Sequence, residues 1–145
     1  MRLSKPWIPI ILLALAGCGG DDFELEKGPF LKVDRESLGF DQEFGSGTYV
    51  GATGFNSLYI ENSGDSPLQI TKVSKTGSGA FSMRLPTELA AGNTLTLESL
   101  KRTFVEVQFK PGEARTYEGK LIIESNAGNG AMKEIALSGR GLPPP

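Results

Sequence analysis

The run Thr103-Phe104-Val105-Glu106-Val107-Gln108-Phe109 constrains the chain most, because Val105, Val107 and Phe109 recur at every second position. That period belongs to a half-buried strand; on a helix it would scatter the apolar groups around the axis. The same alternation returns in short runs: Leu38 to Phe44, Leu58 with Ile60, Leu68 with Ile70 and Val73, Phe81 to Leu85, Leu95-Thr96-Leu97, Leu121 with Ile123, and Ile135 with Leu137. Turn residues separate them. Asn62-Ser63-Gly64-Asp65-Ser66-Pro67 is a dense turn signal, Lys110-Pro111-Gly112 ends the central run, and Asn129-Gly130 marks a hairpin tip because both residues tolerate positive φ. The 19 glycines and 9 prolines leave no room for long helices. The expectation is an all-β antiparallel sandwich or barrel of about seven strands. Some fifteen large apolar side chains face inward, each contributing about 1.5–3 kcal/mol when buried, so a core can close without disulfides.

No disulfide is available in any case. Cys18 is the sole cysteine, which excludes an intrachain bridge and a thiolate metal cluster. No histidine occurs, which removes the usual general base near neutral pH and the commonest metal ligand. No cofactor or metal is expected.

The N-terminus reads as an address. Arg2 and Lys5 precede an apolar stretch of Ile8, Ile10, Ile11, Leu12, Leu13, Ala14 and Leu15, with Trp7 at its edge. The stretch is too short for a permanent helix across a hydrocarbon core of about 30 Å, and it ends in small residues as an export signal does. Leu15-Ala16-Gly17-Cys18 resembles the bacterial lipoprotein signal. The resemblance implies cleavage between Gly17 and Cys18, acylation of the Cys18 thiol, and attachment to the membrane through that lipid. Gly19 rather than aspartate follows the cysteine. By the same resemblance this leans toward the outer membrane of the cell envelope, on its periplasmic or surface face. Residues 1–17 are therefore expected to be the signal, 18–36 a lipidated and solvated linker, 37–142 the sandwich, and 143–145 a proline tail. Removal of the signal takes Arg2 and Lys5 with it, leaving 13 of the 15 basic residues against 17 acidic ones, a formal charge of −4. A mildly acidic chain is a poor partner for nucleic acid, whose affinity comes mainly from Lys and Arg neutralising phosphates.

The order of the segments is also familiar. Leu38-Gly39-Phe40, Leu58-Tyr59-Ile60-Glu61-Asn62-Ser63-Gly64 and Pro67-Leu68-Gln69-Ile70 resemble the first half of the abnormal-spindle and hydin-type (ASH, choice-of-anchor D) domain. Phe81, Val105 to Pro111, Tyr117-Glu118-Gly119-Lys120-Leu121 and Leu137-Ser138-Gly139-Arg140-Gly141 resemble its second half, so the likeness covers roughly residues 37–141. It implies an immunoglobulin-like fold close to major sperm protein, used as an interaction or spacer module. Tyr117 at a strand start is placed for a tyrosine-corner contact with nearby backbone. Gly119 stands where a disulfide-bonded immunoglobulin domain carries its second cysteine, which fits a cysteine-free branch.

Chemistry-bearing patterns are sparse. Gly45-Ser46-Gly47-Thr48 and Gly51-Ala52-Thr53-Gly54 lack the spacing, the lysine and the following helix of a phosphate loop, and read as a strand connection. Asp41, Glu43, Glu61, Glu106, Glu118, Glu124 and Glu134 fall on outward strand positions, the solvated face of a sheet. Asp21 with Asp22, and Asp34 with Glu36, lack the ligand spacing of a calcium loop. Tyr49, Phe55, Tyr59 and Phe104 are the candidates for partner contact, since aromatic side chains dominate interface hot spots. The competing account is that Phe55 and Phe104 cover a sheet edge or loop. The expectation is a non-catalytic envelope module meeting a protein or glycan. The alternatives are a chaperone-like factor that binds extended clients by strand addition, and a hydrolase or metal enzyme dependent on particular acidic residues.

Overall fold

A computed structural model describes residues 23–40 and 47–145. The signal 1–17, the lipidation site Cys18 and its flanking Gly17 and Gly19 to Asp22 lie outside the described residues. So does 41–46, with Asp41, Glu43, Phe44, Gly45 and Ser46.

Alternation in the sequence becomes two stacked sheets. The first sheet holds β1 (Leu31–Val33), β4 (Gly54–Asn62), β8 (Arg102–Phe109) and β6 (Phe81–Arg84), in the order β1-β4-β8-β6. The second runs β2 (Ser37–Gly39), β10 (Met132–Leu142), β9 (Thr116–Ser125), β5 (Leu68–Gly77) and β7 (Leu95–Leu97), with β3 (Thr48–Tyr49) also on β10. Pairing is antiparallel except where β2 and β3 join β10 in parallel. One short helix, α1 (Thr87–Ala90), links β6 to β7 and buries Leu89. The fold is thus the expected all-β immunoglobulin-like sandwich.

The ten strands of the described residues exceed the expected seven mainly through β1 and β3, which are only three and two residues long; β2 coincides with the start of the run expected at Leu38. One domain boundary is corrected. The linker placed at 18–36 is too long, since Leu31, Lys32 and Val33 pair with Asn62, Glu61 and Ile60 on β4, and Glu26 bridges Gly64. Leu31 is buried and joins the core, which ties this segment to the sandwich.

Inward residues meet between the layers. Leu58 and Ile60 of β4 and Val105, Val107 and Phe109 of β8 face Leu121 and Ile123 of β9 and Ile135 and Leu137 of β10 in one core. On β5 the inward set is Leu68, Ile70 and Val73, a step of two and then three. A bulge between Ile70 and Lys72 absorbs the extra residue and returns Val73 to the core face. Phe40, Phe81, Phe109 and Tyr117 form an aromatic cluster, with Phe109 at 5.4, 5.0 and 5.5 Å from the other three rings. Gly139 exists for Phe109: a Cβ there would lie 2.6 Å from the ring.

Candidate functional site

The outer face of the first sheet carries most of the exposed aromatic surface. On β4 the outward positions are Phe55, Ser57, Tyr59 and Glu61; on β8 they are Arg102, Phe104, Glu106 and Gln108. Register sets their neighbours. Tyr59 lies opposite Phe104, and the rings sit 5.8 Å apart, tilted by 45°. Both stay about half exposed, at 44% and 52%. One step along, Lys32, Glu61 and Arg102 form a row across β1, β4 and β8. Phe55 shares the face but lies opposite Gln108, four residues from Tyr59 along β4. Tyr49 is exposed on β3, opposite Leu142 in the other sheet. The four aromatic candidates therefore do not form one patch. Tyr59 and Phe104 are brought together; Phe55 flanks them and Tyr49 is apart. β4 and β8 are central in strand order, yet β1 pairs only with Ile60 to Asn62 and β6 only with Glu106 to Phe109, so Phe55 and Phe104 each lie where their strand is paired on one side.

Beside the Tyr59–Phe104 pair lies a groove of about 90 Å³, lined by Lys32, Val33, Asp34, Tyr59, Glu61 and Arg102. Its floor is fixed by the chain leaving β1. The Asp34 carboxylate accepts the Tyr59 amide at 2.9 Å, and the Asp34 amide donates to the Tyr59 carbonyl at 3.2 Å. Arg35 pairs with Asp34 at 2.9 Å and reaches Asn56 Oδ1 at 3.2 Å. Asn56 in turn donates to the Gly39 carbonyl at 2.9 Å, so the β1–β2 connection is clamped to β4. Lys32 and Asp34 were missed as site residues because 32–34 read as linker, and Arg102 because it lies one residue before the run read as a strand. The signal was present in the small alternation Leu31-Lys32-Val33.

Acidic residues are scattered or paired. Glu36 meets Lys133 at 2.7 Å, Glu134 meets Lys120 at 3.1 Å, and Glu113 meets Arg115 at 3.0 Å, all at the surface. Among the described residues no three Asp, Glu, Cys or His side chains gather as metal ligands. Described helices include none long and apolar enough to cross a membrane. In the glycine-rich connection, Thr48–Tyr49 is a strand and no helix follows, so the phosphate-loop geometry is absent from residues 47–54.

The residues that carried the family resemblance have structural work. The Tyr117 hydroxyl accepts the Glu113 amide at 2.9 Å and donates to the Glu113 carbonyl at 3.3 Å, the corner contact its position suggested. Arg115 covers the ring, its guanidinium carbon 4.0 Å from the centroid. At Gly119 a Cβ would lie 2.7 Å from the Thr76 carbonyl, so β5 and β9 approach too closely for a cysteine there.

Sandwich, strand order and corner together define an immunoglobulin-like fold, similar to that of ASH and PapD-like domains. Among solved structures, the ASH/PapD-like domain of human CEP192 (PapD-like domain 7) matches with a TM-score of 0.60 and 16% identity, over 100% of this chain and 99% of that one. A protein of unknown function from Porphyromonas gingivalis W83 matches at TM-score 0.59 and 15% identity, over 79% of this chain and 48% of that chain. WR4, a C. elegans MSP family member, gives 0.45 and 14% over 81% and 100%. No protein-family model matches the sequence, and the curated proteins contain no match.

Proposed function

We propose that the protein is a lipid-anchored component of a bacterial cell envelope that presents one non-catalytic interaction domain. Anchoring rests on Leu15-Ala16-Gly17-Cys18 behind a short basic and apolar leader. Several acyl chains on one residue hold a protein at a membrane stably, at about 0.8 kcal/mol per buried CH₂. The observation that carries the interaction role is the half-exposed Tyr59–Phe104 pair beside the Lys32–Glu61–Arg102 row on a solvent-facing sheet. Aromatic surface next to mixed charge suits a protein or glycan partner, whereas turnover has neither a histidine nor a free thiol to draw on.

Strand addition is the weaker mechanism. The strands at the ends of the two sheets, β1, β6, β2 and β7, run for only three or four residues, and Pro86 follows soon after β6. Short edges of this kind discourage pairing with another chain.

Two measurements test the reading. Mass analysis of the mature N-terminal peptide is expected to show acylated Cys18, with processing blocked by globomycin. Capture from envelope extracts is expected to enrich a defined partner that the double variant Tyr59→Ala/Phe104→Ala loses. An unmodified chain still beginning at Met1 overturns the anchor; identical recovery by wild type and variant overturns the site.

A further inference from the structure

Leu100 breaks a local rule. It is the only described residue other than glycine with a positive φ, at 63°, and it is half exposed to solvent. Glycine or asparagine fits that conformation without the Cβ crowding leucine suffers. Core packing does not explain the leucine, since its side chain lies at the surface. A strained apolar residue held out to solvent points to something it meets.

Its place in the fold says what. The Leu100 amide donates to the Asn62 carbonyl at 2.8 Å, and the neighbouring Ser99 hydroxyl donates to the Gly64 carbonyl at 2.6 Å. Gly64 bridges Glu26, so the β7–β8 turn, the β4–β5 turn and the incoming N-terminal segment share one end of the sandwich. Phe23, three residues before Glu26, is the most exposed large apolar side chain described, at 75%. Cys18 precedes Phe23 by five residues. Five residues span at most about 18 Å even when fully extended.

This step rests on the anchor proposed above. With Cys18 acylated, the end of the domain bearing Phe23 and Leu100 cannot leave the bilayer surface by more than that short reach. We infer that Phe23 and Leu100 form a membrane-contact edge, seating the β4–β5 and β7–β8 turns against the lipid. The outer face with Tyr59 and Phe104 then stands clear of the headgroups for its partner. The contact is apolar rather than electrostatic. Lys27 and Lys101 at this end are outnumbered by Glu24, Glu26, Asp65 and Glu98, so anionic lipid gains nothing there.

The mature chain suits a direct test, because the single tryptophan is Trp7, within the signal. L100W, F23W and, as a control, F104W each introduce one indole into the lipidated full-length protein. Vesicles of phosphatidylethanolamine and phosphatidylcholine with brominated acyl chains serve as the probe. Fluorescence of L100W and F23W is expected to be quenched about twofold or more, and that of F104W little, independently of salt. L100G relieves the positive φ, so its thermal midpoint is expected to equal or exceed wild type while quenching of F23W in that background falls. Acylated protein with unquenched L100W overturns the membrane edge and leaves the anchor standing. Quenching of F104W as strong as L100W overturns the orientation. A mature peptide without acyl chains overturns the anchor, and the membrane edge with it.

Discussion

Asn62 is buried completely, and each of its side-chain groups is used. Its Oδ1 accepts the amides of Phe30 at 3.3 Å and Gly64 at 3.0 Å; its Nδ2 donates to the carbonyls of Ser66 at 2.8 Å and Leu97 at 2.9 Å. One amide thereby ties the N-terminal segment, the β4–β5 turn and β7 together. Asn62→Asp sets a carboxylate oxygen against two carbonyls in a dry site, and Asn62→Ala orphans four backbone groups. Either is expected to cost about 2–4 kcal/mol, with the aspartate worse, as measured by urea unfolding. Among the described residues, nearby Asp65 is the group with a perturbed titration. Hydrogen bonds from the Ser66 hydroxyl, and then from the Gly28 amide, hold its carboxyl below the ordinary 3.8. A depressed folded pKa means stabilisation that is complete above 3.8 and lost as pH falls through the lower folded value. Asp65→Asn is therefore expected to flatten the loss of stability on acidification below that point, read as midpoint against pH. In the sequence, Asn62-Ser63-Gly64 announced a turn; that its asparagine is also the hub of three elements depends on chain segments more than thirty residues away, such as Leu97.

Among elements, β1 shows where pattern reading falls short. Three residues are too few for a period to stand out from a polar tether, yet Leu31–Val33 closes the first sheet beside β4. A chain starting at Phe23 is expected to unfold at distinctly higher urea than one starting at Ser37, by about 3 kcal/mol or more, since the shorter one loses buried Leu31 and exposes the β4 edge. Equal stability would restore the boundary at residue 37. The long strands behave differently. β8 and β10 are legible because Val105, Val107 and Phe109, and Ile135 and Leu137, must all face one side of a pleated strand. Even the bulge on β5 is written as the odd step from Ile70 to Val73, although only pairing with β9 shows that it is a bulge.

At the scale of the whole molecule, one core without crosslinks is expected to unfold in a single cooperative step. Addition of a thiol reductant should leave the urea midpoint unchanged, because the one cysteine precedes the described domain. The aromatic candidates make the division between sequence and structure plain. Outward alternation alone marked Tyr59 and Phe104 as surface residues, and composition alone removed histidine and thiol chemistry. Strand alternation, turn positions and the absence of disulfides are local properties, set by which side chains follow one another, so the linear order determined the sandwich. Which exposed residues become neighbours is a matter of strand order and register. Pairing of β4 with β8 set Tyr59 against Phe104, β1 brought Lys32 and Asp34 to their side, and β3 carried Tyr49 away to β10. Those contacts join residues far apart in the chain, where no local pattern reaches, and only the folded sheets decided them.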